Sequence, residues 1–168
     1  MLFRSSGIPE RGPLSSTVPG VVAGWQELHR RFGRLPWATV LAPAISAADG
    51  FPVSKGLAEA TAQHREVLKM DPALAGLLLS SDRPLSPGSV LRQPALATTL
   101  EEIASGGAEA FCCGRAAGSL SRLSQSKGGL LRETDFQNCR PEWVEPLQSG
   151  YRDLQRSEER RVGKECRL

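Results

Sequence analysis

The stretch Val18–Trp37 reads VPGVVAGWQELHRRFGRLPW, and the rest of the chain is organised around it. Pro19 and Gly20 make a turn. Val22, Trp25, Leu28 and Phe32 then recur at helical spacing, with Gln26, Glu27, His29, Arg30 and Arg31 mostly between them. That spacing makes one apolar stripe on an amphipathic helix, and the stripe is expected to face the core. Gly33 follows where a helix end favours a residue free to take positive φ.

Outward from this helix the chain reads as short helices joined by turns. Its 17 glycines and 12 prolines in 168 residues favour that over a few long helices. On the N-terminal side, Met1–Ser16 is rich in Gly, Ser and Pro and has no period, so a loop is expected. On the other side, Pro36 starts a short segment, Trp37–Leu41, which Pro43 is expected to interrupt. Ala44, Ile45, Ala47 and Ala48 then form a small-residue helix ending at Gly50. Ser54 suits the N-cap of a helix over Lys55–Leu68, with Leu57, Thr61, His64 and Leu68 on one face. Asp71-Pro72 is a cap followed by a first-turn proline, which predicts a helix to about Leu79. Ser80–Pro84 is a turn, and Leu85 and Val90 flank Pro87-Gly88 as a brief extended pair or a plain loop. A helix opens near Pro94, buries Leu96, Leu100 and Ile103, and is expected to end at Gly106-Gly107. Another covers Ala116–Ser126 with only Leu120 and Leu123 as large anchors. Thr134 is the expected cap of a last helix, with Asp135 in its first turn, where its charge suits the helix dipole.

Composition excludes several function classes. The formal charge of +3 is mostly a property of the tail: Arg156–Leu168 holds five Lys/Arg and three Asp/Glu, leaving 16 basic and 15 acidic residues elsewhere. The remainder has no basic stripe with interleaved aromatics, so nucleic acid is not an expected partner. No apolar run approaches the ~18 residues of a membrane span, and the first 20 residues lack the apolar core of a signal peptide. Cys112, Cys113, Cys139 and Cys166 form no C-x-x-C pair and lie far in sequence from His29 and His64, so zinc spacing is absent. Adjacent Cys112 and Cys113 read as small buried thiols rather than a redox pair. His29 and His64 read as packing residues. Glu101, Glu102 and Glu109 read as solvated helix positions. Gly106-Gly107 and Gly128-Gly129 lack the Lys-Ser/Thr of a phosphate loop, and no Gly-x-Ser-x-Gly elbow occurs.

The sequence also resembles a known family, the γ-glutamyltransferases or glutathione hydrolases. The resemblance rests on Val18-Pro19-Gly20, Gly24-Trp25, His29 to Gly33 and Leu35-Pro36-Trp37. It continues in the APAISAADGFPVS run, Ala42–Ser54. Further matches are Gly88, Leu91, Pro94, Leu96, Ala97, Thr99, Leu100, then Gly107-Ala108, Ala110-Phe111 and Gly114. Lys127–Phe136 (KGGLLRETDF), Arg140–Leu147 (RPEWVEPL) and Gly150-Tyr151-Arg152 complete it. The chain departs from the family at Cys112, where Tyr is usual, and across Ala116–Ser126, where a stronger apolar helix is usual. The resemblance spans about Gly12–Asp153.

The resemblance implies an N-terminal-nucleophile hydrolase. Such a precursor cleaves itself into a large and a small subunit and frees the amine of a threonine, whose hydroxyl attacks a γ-glutamyl amide. The glutamyl group then passes to water or to an amino-acid or peptide acceptor. The implied parent fold is α+β, a four-layer αββα sandwich, of which this chain is a mainly α piece. The implied partners are glutathione or other γ-glutamyl compounds and the small subunit of the same precursor. The implied location is extracellular, periplasmic or at the cell surface, and no cofactor is implied.

The family's threonine nucleophile would lie well beyond Tyr151, and the arginine that grips the substrate α-carboxylate would lie upstream of the Val18-Pro19-Gly20 turn. No catalytic, substrate-binding or metal residue is therefore assigned, and the chain by itself is expected to be inactive and poorly folded. Residues 1–155 read as a partial large-subunit region. Residues 156–168 are different in kind. RSEERRVGKECR (Arg156–Arg167) resembles the in-frame translation of a common sequencing-library adapter, and 156–168 is read as a non-native tail. Read as structure, its Glu-Glu-Arg-Arg run favours helix. The alternative function is a non-catalytic helical interaction module of the same ancestry.

Overall fold

The computed structural model describes residues 7–158 and is mostly helical. After a short 3-10 turn at Pro13–Ser15, helix α1 runs Val21–Phe32 and α2 runs Trp37–Asp49. Pro43 lies inside α2 and does not interrupt it, contrary to the sequence expectation. The helix is held on both sides of the proline: Trp37, Leu41 and Ile45 pack with Val22 and Ile103 in one apolar cluster. That packing offsets the hydrogen bond the proline ring removes.

Strand β1, Phe51–Pro52, leads to α3, Lys55–Gln63, whose Ser54 cap accepts from the Leu57 N–H at 3.2 Å as expected. The single helix expected to Leu68 is two. His64 has φ −101° and ψ 15°, and α4, Arg65–Lys69, starts beyond it. Thr61 is buried on this face, but His64 is exposed at the joint. Helix α5, Pro72–Leu78, begins at Asp71, whose Oδ1 accepts from the N–H groups of Ala73 (3.0 Å) and Leu74 (3.2 Å). That bears out the cap-and-proline reading.

The next turn is a tight hairpin. Strands β2, Leu79–Ser80, and β3, Arg83–Pro84, flank Ser81 and Asp82, both at positive φ. Two such central residues match the twist of the strands they join. Strand β4, Val90–Leu91, pairs antiparallel with β1, so Val90 finds its partner in Pro52 rather than near Leu85. Val53, Ala58 and Leu91 form a second buried cluster behind this pair.

The span α6, Pro94–Cys112, is two helical stretches that meet at a kink: Gly107 is not helical, so the helix ends at the Gly106-Gly107 pair as expected, and a second stretch runs on to Cys112. Helix α7, Arg115–Ser126, buries Ala117, Gly118, Ser121 and Ser124. Leu120 and Leu123, its expected anchors, are exposed. Helix α8, Glu133–Asn138, is capped by Asp135 rather than Thr134: its Oδ2 accepts from the Arg132 N–H at 2.8 Å. Phe136 on α8 is the one large side chain at 0% exposure among the described residues.

A hairpin of β5, Leu147–Tyr151, and β6, Leu154–Glu158, closes the described chain. Arg156–Glu158 is thus strand, while the rest of the Glu-Glu-Arg-Arg run read as helix-favouring falls in 159–168, outside the described residues. Among the described residues no helix is long and apolar enough to cross a membrane.

Candidate functional site

An open hollow lies between α1, the kink of α6 and the segment after α8. It has a volume of about 900 Å³, and Gln26, Glu27, His29, Cys112, Cys139 and Arg140 are among its walls. Its shape follows from one glycine. Gly107 has φ +66° and ψ −156°, a backbone state that L side chains rarely adopt. A Cβ there would collide with the side-chain amide of Gln26. The kink breaks the regular helical pairing, and side chains of two neighbouring helices engage the backbone on either side of it. Gln26 Oε1 accepts from the Ala108 N–H at 2.6 Å, and Trp37 Nε1 donates to the Ile103 carbonyl at 2.9 Å. In a regular helix that carbonyl would pair with the Gly107 N–H.

His29 is held in a second close approach. Its Nε2–H donates to the Leu35 carbonyl at 2.8 Å, and its ring meets Trp37 edge-on at 5.0 Å. Gly33 ends α1 as expected but not by positive φ: its φ is −65° and its ψ 137°. It must be glycine because a Cβ would strike the His29 ring and carbonyl, while its N–H donates to that carbonyl at 2.7 Å. The histidine therefore shapes the turn between α1 and α2, in line with its reading as a packing residue.

On the rim, Arg30 donates two hydrogen bonds to Glu27, at 2.9 and 2.7 Å, and Trp143 Nε1 adds a third at 2.9 Å. The Arg30 bonds first, then that of Trp143, hold the Glu27 carboxyl down to about 2. Arg31 lies over the Trp143 ring at 4.3 Å, and Phe32 meets that ring edge-on. These contacts pin the extended segment after α8 onto α1.

The hydrogen bonds of the hollow thus go to fixing backbone and joining elements. Cys112, buried at its back, has its thiol pushed up by burial and by the neighbouring Cys139 and Cys113, which disfavours a nucleophilic thiolate. Thr61 donates to the Ala58 carbonyl at 2.9 Å and lies on α3, while His64 is exposed at the end of that helix. Among the described residues no group of three His, Cys, Asp or Glu side chains could hold a metal ion. Sequence reasoning missed Gln26 and Trp37 as kink-holding residues. The only local signal was the Gly-Gly pair inside a helical pattern.

Comparisons with known proteins agree on one family. The family model described as Gamma-glutamyltranspeptidase matches residues 2–159. An Acylase ACY 1 proenzyme of Pseudomonas sp. (strain V22) is 39% identical over 142 residues, covering 84% of this chain and 25% of the relative. Glutathione hydrolase 2 of Arabidopsis thaliana is 38% identical over 153 residues, covering 87% and 26%. Among solved structures, Helicobacter pylori gamma-glutamyltranspeptidase superposes with a TM-score of 0.86 at 25% identity, covering 91% of this chain and 44% of that one. The cephalosporin acylase of Bacillus halodurans gives 0.80 at 34% identity, covering 88% and 29%. The chain spans about a quarter of the length of the curated relatives it matches. On the strength of a family match running nearly end to end over the described helices, the chain belongs to the gamma-glutamyltranspeptidase family.

Proposed function

We propose that this chain is the large-subunit helical region of a γ-glutamyltransferase or glutathione hydrolase. The whole protein would move the γ-glutamyl group of glutathione and related amides to water or to an amino-acid or peptide acceptor. The observation that carries this reading is the family match over residues 2–159. In it the chain supplies scaffold. The attacking threonine, its free amine and the carboxylate-gripping arginine come from parts of the longer precursor, and the small subunit is the partner of these helices. The parent fold is the four-layer αββα sandwich. Residues 1–155 are the family region, and 156–168 is the adapter-derived tail.

A segment swap tests the reading. Residues 7–155 replace the matching segment of a glutathione hydrolase proenzyme, and the purified chimera is given a chromogenic γ-glutamyl anilide. Self-cleavage into two subunits with turnover is the expected result, while the chain alone gives none. A chimera that folds, yet neither cleaves nor turns over, overturns the proposal in favour of a non-catalytic interaction module. A second reading draws on the acylases at 39% and 34% identity. On it the intact protein releases the acyl side chain of a cephalosporin. The same chimera, offered both substrates, separates the two by their ratio of turnover.

A further inference from the structure

Three thiols from two elements converge on the hollow beside α1. Cys112 ends α6, Cys113 follows it, and Cys139 ends α8; all three line the same space. They differ in setting. Cys112 is buried, Cys139 half-buried and Cys113 exposed, and each is a free thiol in this structure. Cys139 is held in place from two sides. Its N–H donates to the carbonyl of the fully buried Phe136 at 3.2 Å, and its Sγ lies 2.9 Å from where a Gly20 Cβ would sit. Helices α6 and α8 pack against each other, and Cys112 and Cys139 at their ends both border this hollow.

We propose that Cys112 and Cys139 are an oxidisable pair, a disulfide-forming site that ties the end of α6 to the end of α8. The neighbouring Cys113 is a poorer partner for Cys112. Consecutive Cα atoms are about 3.8 Å apart, below the ~4.4–6.8 Å that a disulfide spans. The electrostatics agree. Cys139 opposes ionisation of Cys112 more strongly than Cys113 does, although Cys113 is its neighbour in the chain.

The oxidant is a small-molecule disulfide. The thiolate of Cys139, the more exposed of the pair, attacks one sulfur of the reagent. A mixed disulfide forms and one reagent thiolate leaves. Cys112 then gives its proton to solvent and attacks Cys139 Sγ, and the second reagent thiolate leaves. The protein loses two electrons and two protons; the reagent gains them as two thiols. The bond closes a loop that contains α7 and α8. It rests on this chain's own contacts and is independent of the activity proposed above.

The test treats the folded chain with bis(2-hydroxyethyl) disulfide, quenches in acid, alkylates remaining thiols and maps tryptic peptides. The expected product links peptide 93–115 to peptide 133–152. The link survives in Cys113→Ser, an exposed and structurally mild change, and is lost in Cys112→Ser, which keeps a hydroxyethylthio adduct on Cys139. Loss of the link in Cys113→Ser overturns the assignment. So does a yield no higher than in the urea-unfolded chain.

Discussion

Helices α2 and α6 meet through the buried Leu41 and Ile103, although Val40 and Leu96, the latter expected to be buried, are 47% and 42% exposed; α1 and α7 largely expose their large apolar residues. Leu41 and Ile103 are 7% and 4% exposed, with Trp37, Ile45 and Phe111 packed around them. On α1, Trp25, Leu28 and Phe32 are 47%, 49% and 63% exposed, while Val22 and Ala23 are buried and Gln26 reaches the α6 kink. On α7 the buried residues are Ala117, Gly118, Ser121 and Ser124. Two kinds of contact hold this chain together. Between α2 and α6, burial of apolar area stabilises the contact. Around α1 and α7, small residues allow close approach, and polar side chains complete backbone hydrogen bonds: Ser124 Oγ accepts from the Leu131 N–H at 3.2 Å, much as Gln26 accepts from Ala108. The outward stripes of α1 and α7 are the surfaces that need a partner under the function proposed above.

The contrast predicts three mutational outcomes. Ile103→Ala has the largest effect. Truncating a buried isoleucine costs about 3–4 kcal/mol, so amide exchange along α2 and α6 should accelerate at least a hundredfold. An unchanged exchange pattern would break the claim that this pair is the apolar core. Gly107→Ala comes next, at about 2–3 kcal/mol, from forced positive φ and a lost bond to Gln26. Its acceleration should centre on Ala108 and the adjoining turns of α6; acceleration confined to α2 would mean the kink is not held by Gln26. Leu28→Ser, at a position 49% exposed, is the smallest, within about 0.5 kcal/mol, with a measurable drop in the binding of an apolar dye. A cost of several kcal/mol would show that the outer stripe already packs against something.

Local chemistry was legible in the sequence. Ser54 and Asp71 were identifiable as caps because a cap is one side chain meeting an N–H two or three residues on. The turn at Ser80–Pro84 and the existence of α1 and α7 were legible for the same reason. The family was legible too, because spaced motifs such as Val18-Pro19-Gly20 and Leu35-Pro36-Trp37 survive without any structure. Three errors share one cause. The stripe of α1, the anchors of α7 and the interruption at Pro43 were each judged from the helix alone.

Burial is a property of two surfaces, and the sequence of one helix specifies only its own. Periodicity put Val22, Trp25, Leu28 and Phe32 on one stripe. Only the packed chain decided that the stripe is split: Val22 packs with Ile103 of α6 and Gln26 reaches the kink, while Trp25, Leu28 and Phe32 look outward. Likewise Gly106-Gly107 announced a break in the backbone. Which groups take up the backbone hydrogen bonds freed at that break was settled by the fold: Gln26 and Trp37 lie 81 and 70 residues away from Gly107 in sequence but within hydrogen-bonding reach of its neighbours. A backbone group accepts whichever partner the fold delivers, and no local pattern names that partner in advance.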